Sequence, residues 1–227
     1  MKDRGWIERR ANELLESLAS GVTLVAASKT RTPEEVAAAA RGGIGVFGEN
    51  YVQEAKAKIE ALEHAAAAGG VAWHMIGHLQ RNKVRDAVRL FDAIQTVDSM
   101  RLATKISDEC AKIGREMPIL IEINSAREPQ KAGVLPDDAE ALVREIAPLP
   151  AIRVQGLMTM GPFTDDPEQL RPLFRLTKEL FDRLAAAGIP GLEMTTLSMG
   201  MSDSYPIAIE EASTMVRLGT VLFGPRG

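Results

Sequence analysis

Apolar positions along this chain fall into short runs that alternate with longer stretches of helical spacing. In residues 4–19, Trp6, Ile7, Leu14, Leu15 and Leu18 recur near a helical period, and Gly21 closes the segment. Eight apolar runs then read as strands, at residues 22–28, 44–49, 72–77, 93–97, 118–124, 152–159, 192–198 and 215–222. The stretches between them read as helices. Thr32-Pro33-Glu34-Glu35 combines a capping hydroxyl, a proline in the first turn and acids placed against the helix dipole. An Ala/Glu/Lys helix runs to about His64, with the Ala-rich residues 65–68 as helix filler. Further helices are expected at 80–90, after a cap at Asp98 or Ser99, after Pro136-Asp137-Asp138, at 167–187 before Gly188, and briefly from about Ser204. Residues 124–133 are turn-rich and read as a loop.

Strict alternation of strand and helix implies parallel strands joined by helical crossovers. Eight such units in 227 residues suit closure into an α/β fold, a single (β/α)8 TIM-type barrel with an extra N-terminal helix. Residues 1–227 then form one domain. The alternative is an open doubly wound sheet, whose edge strands would need cover. A net charge of −4 with no long basic run argues against nucleic acid or an anionic membrane as the main partner. No apolar run reaches the roughly 18 residues of a membrane span, and the charged N-terminus is unlike a signal peptide. Cys110 is the sole cysteine, which rules out an internal disulfide and fits a reducing, cytoplasmic setting. It is expected at a half-buried helix position.

The candidate chemistry gathers at strand ends. Lys29 follows the first strand between Ser28 and Thr30, on the face where barrel sites lie. A lysine held there is a candidate imine-forming amine; a solvent-facing turn residue is the plain alternative. The last two strands end in Ser198-Met199-Gly200-Met201-Ser202 and Arg217-Leu218-Gly219-Thr220. Barrels bind phosphate through the loops after strands seven and eight, and glycines with hydroxyls suit an anion. An amine beside such a cradle fits a phosphorylated aldehyde, and pyridoxal 5'-phosphate (PLP) is the one suggested. Arg217 shares a strand face with Gly219. Glu49 and Asn50 end the second strand, and Asn50 is a candidate partner for a ring oxygen. Gly43-Ile44-Gly45-Val46-Phe47-Gly48 matches a dinucleotide pattern, but its glycines precede and enter the strand instead of following it. His74 and His78 lack a third ligand at metal-site spacing, so no metal is expected. Met158, Met160, Met199 and Met201 could line an apolar wall.

These residues sit in longer motifs. They are Gly48-Glu49-Asn50-Tyr51-Val52-Gln53-Glu54, Trp73-His74-Met75-Ile76-Gly77-His78-Leu79-Gln80-Arg81-Asn82-Lys83, Gly156-Leu157-Met158-Thr159, Leu197 to Ser202 and Ser213 to Thr220. With Ser28-Lys29-Thr30 they resemble the pyridoxal phosphate homeostasis proteins over nearly the whole chain. The resemblance implies a barrel like the N-terminal domain of alanine racemase, with PLP as an internal aldimine on Lys29. It implies phosphate against Ser198, the Met199–Gly200 backbone, Gly219 and Thr220, and Arg217 near the pyridine nitrogen. Three positions depart from the family: Ser204 for aspartate, Ala212 for glycine, and Ala132 for serine. The Ser204 change brings phosphate affinity into question first.

The resulting expectation is a non-catalytic PLP carrier in vitamin B6 and amino-acid homeostasis. It would be cytoplasmic and monomeric, passing PLP to PLP-dependent enzymes. A PLP-dependent racemase or decarboxylase is the alternative, weakened because no β-domain follows the last strand. A Schiff-base aldolase is third, weakened by the lysine lying on the first strand.

Overall fold

The computed structural model describes residues 3–64, 70–162 and 164–225. The Ala-rich run 65–68 lies outside them. The elements are α1 (Arg4–Ser17), β1 (Thr23–Ala27), α2 (Pro33–Arg41), β2 (Val46–Glu49), α3 (Val52–His64), β3 (Ala72–Met75), α4 (Val84–Leu90), β4 (Ala93–Val97) and α5 (Met100–Lys112). They continue with β5 (Met117–Ile123), α6 (Ala139–Ile146), β6 (Ile152–Thr159), α7 (Arg171–Ala186), β7 (Leu192–Ser198), α8 (Tyr205–Glu210), β8 (Met215–Leu218) and α9 (Thr220–Phe223). The strands form a closed barrel in chain order. β8 returns to β1 in parallel, pairing Thr23 with Met215 and Ala26 with Leu218. Closure leaves no unpaired sheet edge.

Local chemistry accounts for the helix starts. Asp3 accepts a hydrogen bond from Trp6 N and caps α1. Thr32 and Glu35 form a reciprocal capping box on α2. The α1 helix packs on α2 and α9. Gly42 permits that approach, because a Cβ there would lie 2.4 Å from Glu8 O.

The final strand is shorter than its sequence predicts. Residues 220–222 are rich in β-branched side chains and read as strand, yet β8 ends at Leu218. Four residues complete its pairing with β1. Gly219 then turns the chain, and Leu222 N and Phe223 N donate to Gly219 O to form α9. Leu222 and Phe223 are thereby buried, and the Arg31 guanidinium lies 5.4 Å from the Phe223 ring centre. Cys110, expected half-buried, is instead fully buried on the inner face of α5. Burial pushes its thiol pKa up.

The main core lies between barrel and helices, with Phe47, Phe91, Phe174 and Phe223 among its largest members. A smaller cluster of Val25, Ile76 and Met215 packs separately. Gly48 makes room for it: a Cβ there would lie 2.6 Å from Ile76 Cδ1 and 2.8 Å from Val25 Cγ1.

Candidate functional site

The loops leaving β1, β2, β6, β7 and β8 converge on one cavity of about 270 Å³. Its lining includes Lys29, Arg31, Asn50, Ser202, Arg217 and Thr220. The cavity is at the small end of ligand-site sizes. It opens where barrel sites normally lie, beyond the C-terminal strand ends. Three cationic side chains line it, Lys29, Arg31 and Arg217, against the single carboxylate of Asp203. That balance favours an anionic ligand.

The wall after β7 and β8 is built from hydroxyls and amides. Ser202 Oγ accepts from Gly219 N at 3.2 Å and from Val221 N at 3.3 Å. A hydroxyl that accepts two amides still has its own hydrogen to donate. Thr220, the first residue of α9, adds a second hydroxyl to the lining. Gly200 sets the path of this loop. Its φ is +89°, and a Cβ there would lie 2.7 Å from Ala208 Cβ and 2.9 Å from Tyr205 Cα. Ser204 Oγ accepts from Met201 N at 3.2 Å, so it ties the loop and gives α8 no side-chain cap.

Six of the sequence-predicted site residues meet at the cavity: Lys29, Asn50, Ser202, Arg217, Gly219 and Thr220. Ser198, Met199 and Gly200 are buried and absent from its lining. Ser198 lies under the arginine instead. Arg217 Nη1 donates to Ser198 Oγ at 2.6 Å, and Arg217 Nη2 donates to Thr159 O at 2.8 Å. Ser198 Oγ in turn donates to Gln95 Oε1 at 2.7 Å. Gln95 Nε2 lies 2.9 Å from His74 Nδ1, which sets that nitrogen as the acceptor on a neutral ring. Burial keeps His74 neutral, with its pKa pushed down to about 4.

This chain of side chains was not legible in the sequence. Gln95 and Thr159 are buried polar residues in largely apolar strands, 103 and 39 positions from Ser198 in sequence. The available signal was the register itself, since a glutamine in a fully buried strand such as β4 needs partners. Glu122, on β5, was missed for the same reason. It is 3% exposed, and its Oε2 has no hydrogen-bond partner among the described residues. Burial, reinforced by Asp98, pushes its pKa up to about 7, while Arg217 pulls it the other way. Burial also lowers the Arg217 pKa to about 10, so the guanidinium stays charged at neutral pH.

A test for PLP at this cavity rests on the donor set. PLP presents a dianionic phosphate, an aldehyde and a ring with polar atoms. The cavity offers two wall hydroxyls, one lysine amine, one asparagine and a net cationic lining. The residues present fit that group. No cluster of three or more metal-ligating side chains occurs among the described residues.

Comparison with known proteins agrees with this architecture. The family model for the alanine racemase N-terminal domain matches residues 3–227. The pyridoxal phosphate homeostasis protein of Haemophilus influenzae is 38% identical over 90% of this chain and 85% of its own length. That of Aquifex aeolicus is 40% identical over 89% and 86%, and that of mouse is 39% identical over 89% and 76%. Among solved structures, PipY of Synechococcus elongatus with PLP bound is 34% identical, with a TM-score of 0.87 over 96% of this chain and all of that one. Alanine racemase of Clostridium difficile shares the fold at 17% identity, with a TM-score of 0.77 over 97% of this chain and 56% of that one. These relatives carry the name of homeostasis proteins. On identity, coverage and fold together, the chain belongs to the pyridoxal phosphate homeostasis protein family, built on the alanine racemase N-terminal domain.

Proposed function

We propose that this chain binds PLP in the mouth cavity, covalently through Lys29, and serves PLP homeostasis as a carrier without turnover. The observation that carries the reading is a single cavity joining a strand-end lysine to the Ser202 and Thr220 hydroxyls. When bound, PLP supplies an aldehyde, which condenses with the Lys29 amine with loss of one water, and a phosphate. The phosphate belongs against Ser202 and Thr220, with Arg31 supplying charge. Arg217 belongs near the ring nitrogen. A charged guanidinium there keeps that nitrogen unprotonated and weakens the ring as an electron sink, which suits holding over catalysis. Ser198 acts one step removed, by orienting Arg217. Support from relatives is their shared name and the PLP-bound PipY structure. No helix among the described residues is long and apolar enough to cross a membrane. A cytoplasmic, monomeric carrier that hands PLP to PLP-dependent enzymes completes the proposal.

The test is a visible absorbance titration of the protein and of Lys29→Ala with PLP, followed by borohydride. The expected result is a PLP-dependent band that borohydride bleaches, with one reduced adduct mapped to Lys29. An equal band in the variant would overturn the lysine assignment. Racemisation of a small amino acid by the purified protein would overturn the carrier reading.

A further inference from the structure

Behind Lys29 lies a buried polar cluster that cavity lining does not explain. Ser28, Lys29, Thr30 and Arg31 form a tight turn closed by Arg31 N donating to Ser28 O at 3.0 Å. Its third residue, Thr30, has φ +65°, a conformation that β-branched residues rarely adopt. The turn is therefore strained, and other groups must hold it.

Three side chains do so. Lys58, only 4% exposed, donates to Ser28 O at 2.6 Å and to Glu49 Oε1 at 2.6 Å. Glu49, fully buried, also accepts from Ser28 Oγ at 2.6 Å. Glu54 accepts from Thr30 N at 2.9 Å and lies 3.5 Å from Lys58. The residues on both sides of Lys29 are thus held, and the Lys29 side chain is left to the cavity it lines.

Stability alone does not account for such a cluster. Burying an ion pair costs desolvation that its attraction repays only in part, and apolar replacements are often as stable. Burial opposes the Glu49 charge and raises its pKa, against the lowering effects of Lys58 and Ser28. One carboxylate oxygen of Glu49 has no hydrogen-bond partner among the described residues. An arrangement this costly is best understood by what it holds. We infer that Glu49, Glu54 and Lys58 are positioning residues, a clamp that fixes the strained turn so that the Lys29 amine is aimed for covalent capture of PLP. This rests on the PLP reading above.

The experiment compares the protein with Glu54→Gln and Lys58→Met. Glu54→Gln is the gentler change, because that side chain is about a third exposed. Three quantities are measured: amide exchange at Thr30 without ligand, the rate of covalent PLP capture, and affinity for pyridoxine 5'-phosphate. The last compound has an alcohol in place of the aldehyde and reports the cradle alone. Loss of charge on the Thr30 acceptor in one variant, and of both Lys58 hydrogen bonds in the other, is expected to speed Thr30 exchange and slow capture by about tenfold each. Pyridoxine phosphate affinity should stay within about twofold, since uniform loss of binding would exceed that. Equal losses for both ligands, or unchanged capture despite faster exchange, would overturn the inference. If the unmodified protein traps no PLP on Lys29, the PLP reading itself fails, while the exchange rates still show whether the clamp exists.

Discussion

Ala212 sits at φ +64°, between the end of α8 and the serine that staples the last two strands. Ser213 Oγ lies within hydrogen-bond reach of Leu197 O, Met199 O and Met215 O, so the backbone before it has little freedom. A left-handed conformation costs an L-residue ~1–2 kcal/mol. Glycine avoids that cost but loses roughly 0.5–1 kcal/mol more chain entropy on folding. The difference predicts that Ala212→Gly stabilises the protein by ~0.5–1 kcal/mol, a rise of about 1–4 °C in melting temperature for a chain of this size. A thermal melt checks it, and an unchanged or lower midpoint would mean that the turn carries no such strain. The sequence singled out this residue by its departure from the family, but the reason was a backbone angle that composition does not encode. Ser204 is the opposite case. Its departure raised a question about helix capping, whereas its oxygen serves the preceding loop through Met201 N.

At the level of elements, the alternation of apolar runs specified the eight strands and most of their bounds, because the strands are largely buried, with β7 alone exposed over its first half. The end of β8 escaped that logic. Val221 and Leu222 have strand-like side chains, but pairing with β1 ends at Ala26 and Leu218, and the chain turns at Gly219 into α9. Lys58 escaped for a related reason. An Ala/Glu/Lys helix suggests a solvated face, yet Lys58 falls on the spacing of the buried Val52, Ala55 and Leu62. The loop from β7 to α8 carries the clearest element-scale consequence. Gly200→Ala would place a Cβ against Ala208 and Tyr205 and occupy φ +89°. Overpacking and backbone strain together predict a loss of ~2–4 kcal/mol. Because α8 must shift, Ser202 would leave the cavity wall, and PLP binding should weaken as well. Gly45→Ala is the control, since nothing lies within 4 Å of a Cβ there. Urea unfolding and PLP titration of the two variants separate the outcomes. Equal behaviour would show that α8 adjusts without moving the loop.

The whole barrel closes around a polar chain that links β3, β4, β6, β7 and β8 through His74, Gln95, Thr159, Ser198 and Arg217. Closure brings these residues together and withdraws them from water, so ionisable groups in the interior titrate away from their ordinary values. Two interior groups act in opposite directions. The Glu122 pKa rises from 4.5 to about 7, so the folded protein holds a proton there that the unfolded chain has released. Its contribution to stability is complete below pH 4.5 and is lost as pH rises to about 7, by ~3 kcal/mol at most. The His74 pKa falls from 6.5 to about 4. Its contribution is complete at high pH and is lost as pH falls through that range. Between roughly pH 4.5 and 6.5 the two slopes offset each other, which flattens the stability of the native protein. Glu122→Gln removes one of them. Relative to the native protein, the variant should gain stability as pH rises from 5 to 8, approaching ~3 kcal/mol, and its own stability should fall towards acid. Urea midpoints of both proteins at the two pH values measure the difference, in which all other titrating groups cancel. A difference independent of pH would mean that Glu122 titrates as an ordinary surface carboxylate, and that the interior near Arg217 is wetter than its 3% exposure implies.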